Sequence, residues 1–193
     1  MSHMIWTEEW AFMHNARCSG HNFKHRVSQQ LKVHHPVYEQ EHNKKYTRDQ
    51  WIHQTIDYWK KTTIDHDNWI TLVRNPYSRL VSWYYRRWKS SGTSFEQYIR
   101  TVTQTRTDHI MWMHIPDKIG KNPCRIFHFE DMEKLEDYVG CKFADTRINT
   151  TNHGDIDTYY TEETREQVYN AYRDEFDMFG YSKYLKESSR APS

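Results

Sequence analysis

The sequence predicts an α/β fold: a mainly parallel central sheet flanked by helices in a three-layer sandwich. Three observations lead there. Strand-like runs at residues 9–14, 68–73 and 124–129 alternate with longer segments of helical periodicity. Two of these runs lead into loops that carry an arginine and open a helix, "HNARCSGHN" and "RNPYS". With 193 residues the chain is long enough for a real core, and because only 36% are hydrophobic while 16% are Phe, Trp or Tyr, aromatic rings must supply much of it. Strands alternating with helices bury both faces of a parallel sheet, and ligands bind such sheets beyond the carboxyl ends of the strands.

Taken in order, "EWAFMH" (9–14) reads as the first strand and "NARCSG" as a loop. "HNFKHRVSQQL" (21–31) is helical, with Phe23, Val27 and Leu31 four apart. "KVHHPVY" (32–38) is a short extended piece stopped by Pro36. "TRDQWIHQTIDYWKK" (47–61) is a helix capped by Thr47, with Trp51, Ile52, Ile56 and Trp59 on one face. "NWITLV" (68–73) is a buried strand, and "PYSRLVSWYYRRW" (76–88) a helix opened by proline. "SFEQYIRTV" (94–102) is a helix capped by serine, "CRIFHF" the third strand, and "EDMEKLEDYV" (130–139) a short helix ending near Gly140. Residues 145–157 form an ordered loop. "TEETREQVYNAYRDEFDMFGY" (161–181) is one long helix capped by Thr161. Residues 1–185 are expected to form a single domain and 186–193 a flexible tail.

The composition narrows the function classes. A formal net charge of +1 supplies no bulk field for nucleic acid. A mean hydropathy of -1.06 and the lack of any apolar run near the roughly 20 residues of a membrane span predict a soluble chain. Three widely spaced cysteines, Cys18, Cys124 and Cys141, fit neither a disulfide framework nor a zinc site, so a reducing, cytoplasmic compartment is expected.

The chemistry concentrates in the two loops. In "NARCSGHN", free N–H groups at the start of a helix and the helix dipole favour an anion, and Arg17 adds a permanent cation. An ordinary strand-to-helix turn with a surface arginine is the plainer reading of this loop alone. In "VRNPYSRLVSWYYRRW", Arg74 closes a strand, and Ser82 lies eight residues on, two turns into the next helix. An arginine fork and a hydroxyl so placed can hold one phosphate. Arg79, Arg86, Arg87 and Lys89 add local positive charge. Tyr77, Leu80, Val81, Tyr84 and Trp88 form the buried stripe of the same helix, which accounts for the apolar residues but not for Arg74.

These segments resemble a family. "VRNPYSRLVSWYY" closely resembles the 3′-phosphate-binding motif of sulfotransferases that use 3′-phosphoadenosine 5′-phosphosulfate, most strongly in the carbohydrate (heparan- and chondroitin-type) branch. "FMHNARCSGHNF" falls where the family has its phosphosulfate loop, commonly Phe-x-His-x-Pro-Lys-Thr-Gly-Gly-Thr-Ser. Phe12, His14 and Gly20 match, Arg17 stands at the lysine, and Asn22 at the last hydroxyl residue. "SFEQYI", "IFHFEDM" and residues 159–181 extend the resemblance over most of the chain.

The resemblance implies a P-loop-like sulfotransferase fold and transfer of a sulfuryl group to a hydroxyl, on a carbohydrate above all, leaving adenosine 3′,5′-bisphosphate. It implies donor contacts from Arg17, Cys18, Ser19, Gly20, His21 and Asn22, from Arg74 and Ser82, and from Asn149, Thr150 and Thr151 in the late loop. Arg17 would stabilise the leaving phosphate. The base would be His35 or His34 in "VHHP", with preference to His35, against a reading of both as surface residues. Neighbours on an extended chain point opposite ways, so one alone should face the site. His14 orders its loop, and Glu130 serves structure or the acceptor pocket. No metal is expected, no nucleic acid and no membrane span. Two alternatives stay open: a nucleotide-binding pseudoenzyme, because the loop lysine is replaced, and a kinase-like phosphotransferase, for which the loop lacks the Walker A glycine and Lys-Ser/Thr pair.

Overall fold

The computed structural model describes residues 4–36, 54–104, 115–143 and 154–184. Among them, β1 (Ile5–Trp6) pairs antiparallel with β2 (Ala11–Met13), while β2, β3 (Trp69–Val73) and β4 (Cys124–His128) run parallel, in the order β1-β2-β3-β4. All three expected strands form. β1 was not expected, because a two-residue pair gives no periodicity to read. It lies beside β2 through Ile5 opposite Phe12 and Trp6 opposite Ala11.

The sheet is buried on both faces. Ala11, Met13, Trp69 and Val73 join one apolar cluster, and Phe12, Ile70, Leu72 and Phe127 join the other. This alternation is the period-two geometry of a strand. All five residues of β3 are buried, so "WITLV" reads as a continuous apolar run rather than an alternating one.

Helices cover the two faces unequally. After β2 comes α1 (Gly20–Gln30), which lays Phe23 and Val27 on the Phe12 face. Next come α2 (Ile56–Thr62), α3 (Pro76–Arg87), α4 (Phe95–Gln104) and α5 (Ile115–Ile119), all contributing to the opposite face. After β4, α6 (Met132–Val139) returns to the Phe12 face through Met132, Leu135 and Val139. The last two helices, α7 (Glu162–Ala171) and α8 (Arg173–Phe179), pack on the other. Among the described residues no helix is long and apolar enough to cross a membrane.

Local signals act as expected at several ends. Pro76 sits in the first turn of α3, and the Asn75 side chain accepts from Tyr77 N. Ser94 and Gln97 cap α4 reciprocally, each side chain accepting from the other's backbone N–H at 3.1 Å. Gly140 and Gly180, both left-handed, close α6 and α8. The helix expected over 47–61 is described from Ile56, capped by Thr55; Thr47, Trp51 and Ile52 lie outside the described residues.

Two expectations need correction. The single terminal helix over 161–181 is broken at buried Tyr172, whose backbone leaves the helical region at φ -120 and ψ 22. The break re-aims the chain so that α8 turns Glu175 and Phe176 inward. Arg79, read from the sequence as part of the local positive charge of the second loop and its helix, is fully buried and meets Glu175 at 2.7 Å. A charge removed from water needs a partner at this distance, and the second charge comes from the broken helix. Glu175 also accepts from Ile115 N at 3.3 Å, so α3, α5 and α8 share one carboxylate.

Glu175→Ala leaves the Arg79 guanidinium buried without its counter-ion, and we expect it to lower folding stability by about 3–5 kcal/mol. Urea denaturation of wild type and variant measures this. A midpoint unchanged by the substitution would show that the pair does not hold the three helices together.

Candidate functional site

Because β2, β3 and β4 are parallel, their carboxyl ends open on the same edge of the sheet. The loop from His14 to Ser19 leaves β2 there and enters α1. Its backbone is unusual. Arg17 and Ser19 both adopt left-handed conformations, φ 61 and φ 62, although neither is glycine. Each costs roughly 1–2 kcal/mol, so the surroundings must impose them.

Those surroundings are specific. Cys18, between the two left-handed residues, is fully buried. Below it, Asn15 Nδ2 donates to Thr71 Oγ1 at 2.7 Å and to Leu72 O at 3.2 Å, while Thr71 Oγ1 donates to Met13 O at 2.9 Å. Lys118 of α5 donates from Nζ to His14 O and, at 3.0 Å, to Asn15 Oδ1. Above, the His14 ring lies on the start of α1: a Cβ on Gly20 would sit 2.0 Å from His14 Cδ2. Gly20 is therefore required by close approach.

Ser19 occupies the cap position of α1 without a side-chain cap bond. The first-turn N–H groups of any helix lack intrahelical acceptors, and the dipole puts partial positive charge at that end. The Cys18 thiol, raised to about 11 by burial, stays protonated and faces the core, and its backbone N–H donates to Asn15 O at 3.4 Å. Asn22 behaves alike: its side chain is buried, with Nδ2 donating to Phe143 O at 3.2 Å. His21 is exposed, its pKa lowered by partial burial and by Lys24 and His25.

The second loop meets the first. Arg17 donates to Ser82 Oγ from Nε at 3.0 Å and from Nη2 at 2.6 Å. Arg74 donates from Nη1 to Arg17 O at 3.4 Å. Its Nε bonds not to Ser82 but to Ser78 Oγ, at 2.7 Å, and its guanidinium stacks 4.3 Å over the Phe129 ring. Ser78 was not singled out from the sequence, although its place one turn into α3 was the available signal. Burial first, and then the charge of Arg86, lower the Arg17 pKa. Among the described residues Arg17 makes no ion pair; its fork rests on a hydroxyl. The edge therefore concentrates guanidinium charge in a chain that is nearly neutral overall.

Glu130 fixes the junction. It accepts from Asn75 N at 3.0 Å on one oxygen and from Tyr181 Oη at 2.8 Å on the other. Both oxygens are engaged inside the fold, so the residue serves structure at this junction.

Both histidines of "VHHP" are exposed. His34 exchanges backbone bonds with Trp6 across the sheet edge and stacks on its ring at 5.6 Å. His35 feels Lys24 of α1, and its pKa is lowered by partial burial, by Lys24 and by His34. Asn149, Thr150 and Thr151 lie outside the described residues. Among the described residues no three His, Cys, Asp or Glu side chains gather as metal ligands. Lys118 escaped the sequence reading altogether, since a lone lysine in "IPDKIG" resembles any surface residue.

Gly20→Ala forces the His14 ring away from the start of α1. We expect a loss of about 1–3 kcal/mol in stability, as for overpacking generally, together with a displaced His14 ring resonance in NMR spectra. Unchanged stability with an unmoved resonance would mean that the ring does not occupy that place.

No protein-family model, curated protein or solved structure matches this chain.

Proposed function

We propose that the protein is a sulfotransferase that takes a sulfuryl group from 3′-phosphoadenosine 5′-phosphosulfate and delivers it to a hydroxyl, on a carbohydrate above all. The observation that carries this reading is the meeting of Arg17 with Ser82, and of Arg74 with the Arg17 carbonyl, at the carboxyl edge of the sheet. The two sequence segments that resemble the donor-binding motifs of that family are in direct contact.

The chemistry follows from the charges. The acceptor oxygen attacks sulfur in line, the bond from sulfur to the bridging oxygen breaks, and negative charge grows on the departing 5′-phosphate. Arg17, with the N–H groups at the start of α1, stabilises that charge. Its guanidinium cannot readily give up a proton, so it acts through charge. Arg74 takes the 3′-phosphate, with Ser78 and Ser82 as hydroxyl partners. His35 accepts the acceptor's proton. Its pKa is lowered by partial burial, Lys24 and His34, which favours the neutral imidazole that a base requires. Asn149, Thr150 and Thr151 are assigned to the nucleotide by family resemblance alone.

A donor-binding protein without turnover is the second reading. It is favoured by the Asn22 side chain, which is turned into the core where the family places a hydroxyl.

Arg74→Ala should weaken adenosine 3′,5′-bisphosphate by tenfold or more while changing 5′-AMP little, because only the former carries the 3′-phosphate and a charge-assisted bond is worth about 1.5–3 kcal/mol. Calorimetric titrations in the presence of EDTA read both ligands. Equal losses for the two would place Arg74 away from the 3′-phosphate, and a strict need for magnesium would favour phosphoryl transfer instead.

Arg17→Ala should reduce sulfate transfer, or slow donor hydrolysis in the absence of an acceptor, by about 10²-fold or more, as when a donor to a developing charge is removed. Arg17→Lys should retain activity. A screen over glycan acceptors supplies the assay. Full donor affinity with no transfer by wild type to any acceptor would select the second reading.

A further inference from the structure

Lys118 is buried at 3% exposure beneath the loop between β2 and α1. Its Nζ holds two oxygens of that loop, His14 O and Asn15 Oδ1. Asn15 is itself fastened to β3 through Thr71 and Leu72. A carbonyl tied downward in this way cannot turn toward a bound anion and repel it. Three titratable groups from other elements face the ammonium: Cys18 of the loop, Arg79 of α3 and Glu175 of α8. α2 also packs against α5, but it turns Ile56 and Trp59 into the core and spends its Asp57 on Asn122, at 2.8 Å. Arg79 and Glu175 are already paired with each other, so among the described residues Lys118 has no counter-ion of its own.

We propose that Lys118 is the positioning residue of the anion-binding loop: it pins the His14 carbonyl and the Asn15 side chain beneath the loop and leaves Arg17 and the first-turn N–H groups of α1 to face the ligand. The inference rests on the proposed donor site and names the residue that positions it. Burial pushes the Lys118 pKa down to about 7. A phosphate bound above the loop favours the ammonium. By linkage, binding takes up protons, and affinity falls as pH rises through 7 and above.

The test compares wild type with Lys118→Met, which keeps the side-chain volume and removes the charge. Adenosine 3′,5′-bisphosphate is titrated by calorimetry between pH 6 and 9, in pairs of buffers with different ionisation enthalpies. Proton exchange by the ligand itself is common to both proteins and cancels in the comparison. We expect the variant to bind about tenfold more weakly at pH 6.5, the size of a lost charge-assisted contact, and to lose the proton uptake seen in wild type. Equal affinities and equal proton uptake in the two proteins overturn the proposal.

Hydrogen exchange of residues 14–20 in the ligand-free proteins separates this inference from the donor reading. Faster exchange confined to that segment in Lys118→Met supports the positioning role, even if wild type fails to bind the bisphosphate and the donor reading falls. Identical exchange, or loss of protection throughout the chain, overturns it.

Discussion

A guanidinium removed from water must meet a carboxylate, and this constraint organises the face of the sheet that builds the site. Arg79 points from α3 into the interior and meets Glu175 of α8 at 2.7 Å. The carboxylate can reach it only because the terminal helix breaks at Tyr172. The same carboxylate receives the first N–H of α5, the helix that carries Lys118. One buried charge pair thus sets the places of the helix bearing Ser78 and Ser82 and of the helix bearing the lysine under the loop. Such a pair need not be more stabilising than an apolar contact of the same volume. Its contribution is to specify an arrangement, because a displaced α8 would strand a charge.

The loop after β2 depends on this frame. Two left-handed, non-glycine residues are tolerable only if neighbours over-determine them. Cys18 is locked in the core between them, Asn15 is tied to two oxygens of β3, and Lys118 grips the loop from below. The His14 ring, resting on Gly20, limits movement from above. What remains outside is a guanidinium resting on a serine hydroxyl, a contact that a phosphate can replace with a stronger one.

Aromatic rings explain how a chain with so few aliphatic residues is filled. Tyr77 lies at the centre of one face, edge-on to Tyr160 and tilted against Phe176. Its hydroxyl still donates to Lys183 O at 2.9 Å, and Tyr160 Oη donates to Tyr77 O at 2.9 Å. Rings with a polar end fill the interior and at the same time tie chain ends together. On the other face Phe12, Phe23 and Phe143 do this with no polar atoms at all.

Much of this was legible in the amino-acid order. "WITLV" reads as a strand buried on both faces, the proline of "NPYS" opens a helix, and Gly140 ends one, because these signals act within one turn or one strand; Gly180, inside the helix expected over 161–181, ends its helix as well. The placing of Arg17 and Arg74 at the carboxyl ends of strands followed from the parallel alternation; that the two strands are neighbours did not. Contacts between distant segments were not legible. Nothing local distinguishes Arg79 from Arg86, yet one is buried against Glu175 and the other adds to the charge around Arg17. Nothing in "IPDKIG" marks Lys118 as a buried group, and nothing in "HNF" shows that the Asn22 side chain turns to Phe143. Sequence by itself determined the three parallel strands and most of the helices, because propensity, capping and periodicity are short-range, but not β1, α5 or the break at Tyr172. Tertiary structure alone decided which charges are buried, because burial depends on what the rest of the chain brings near.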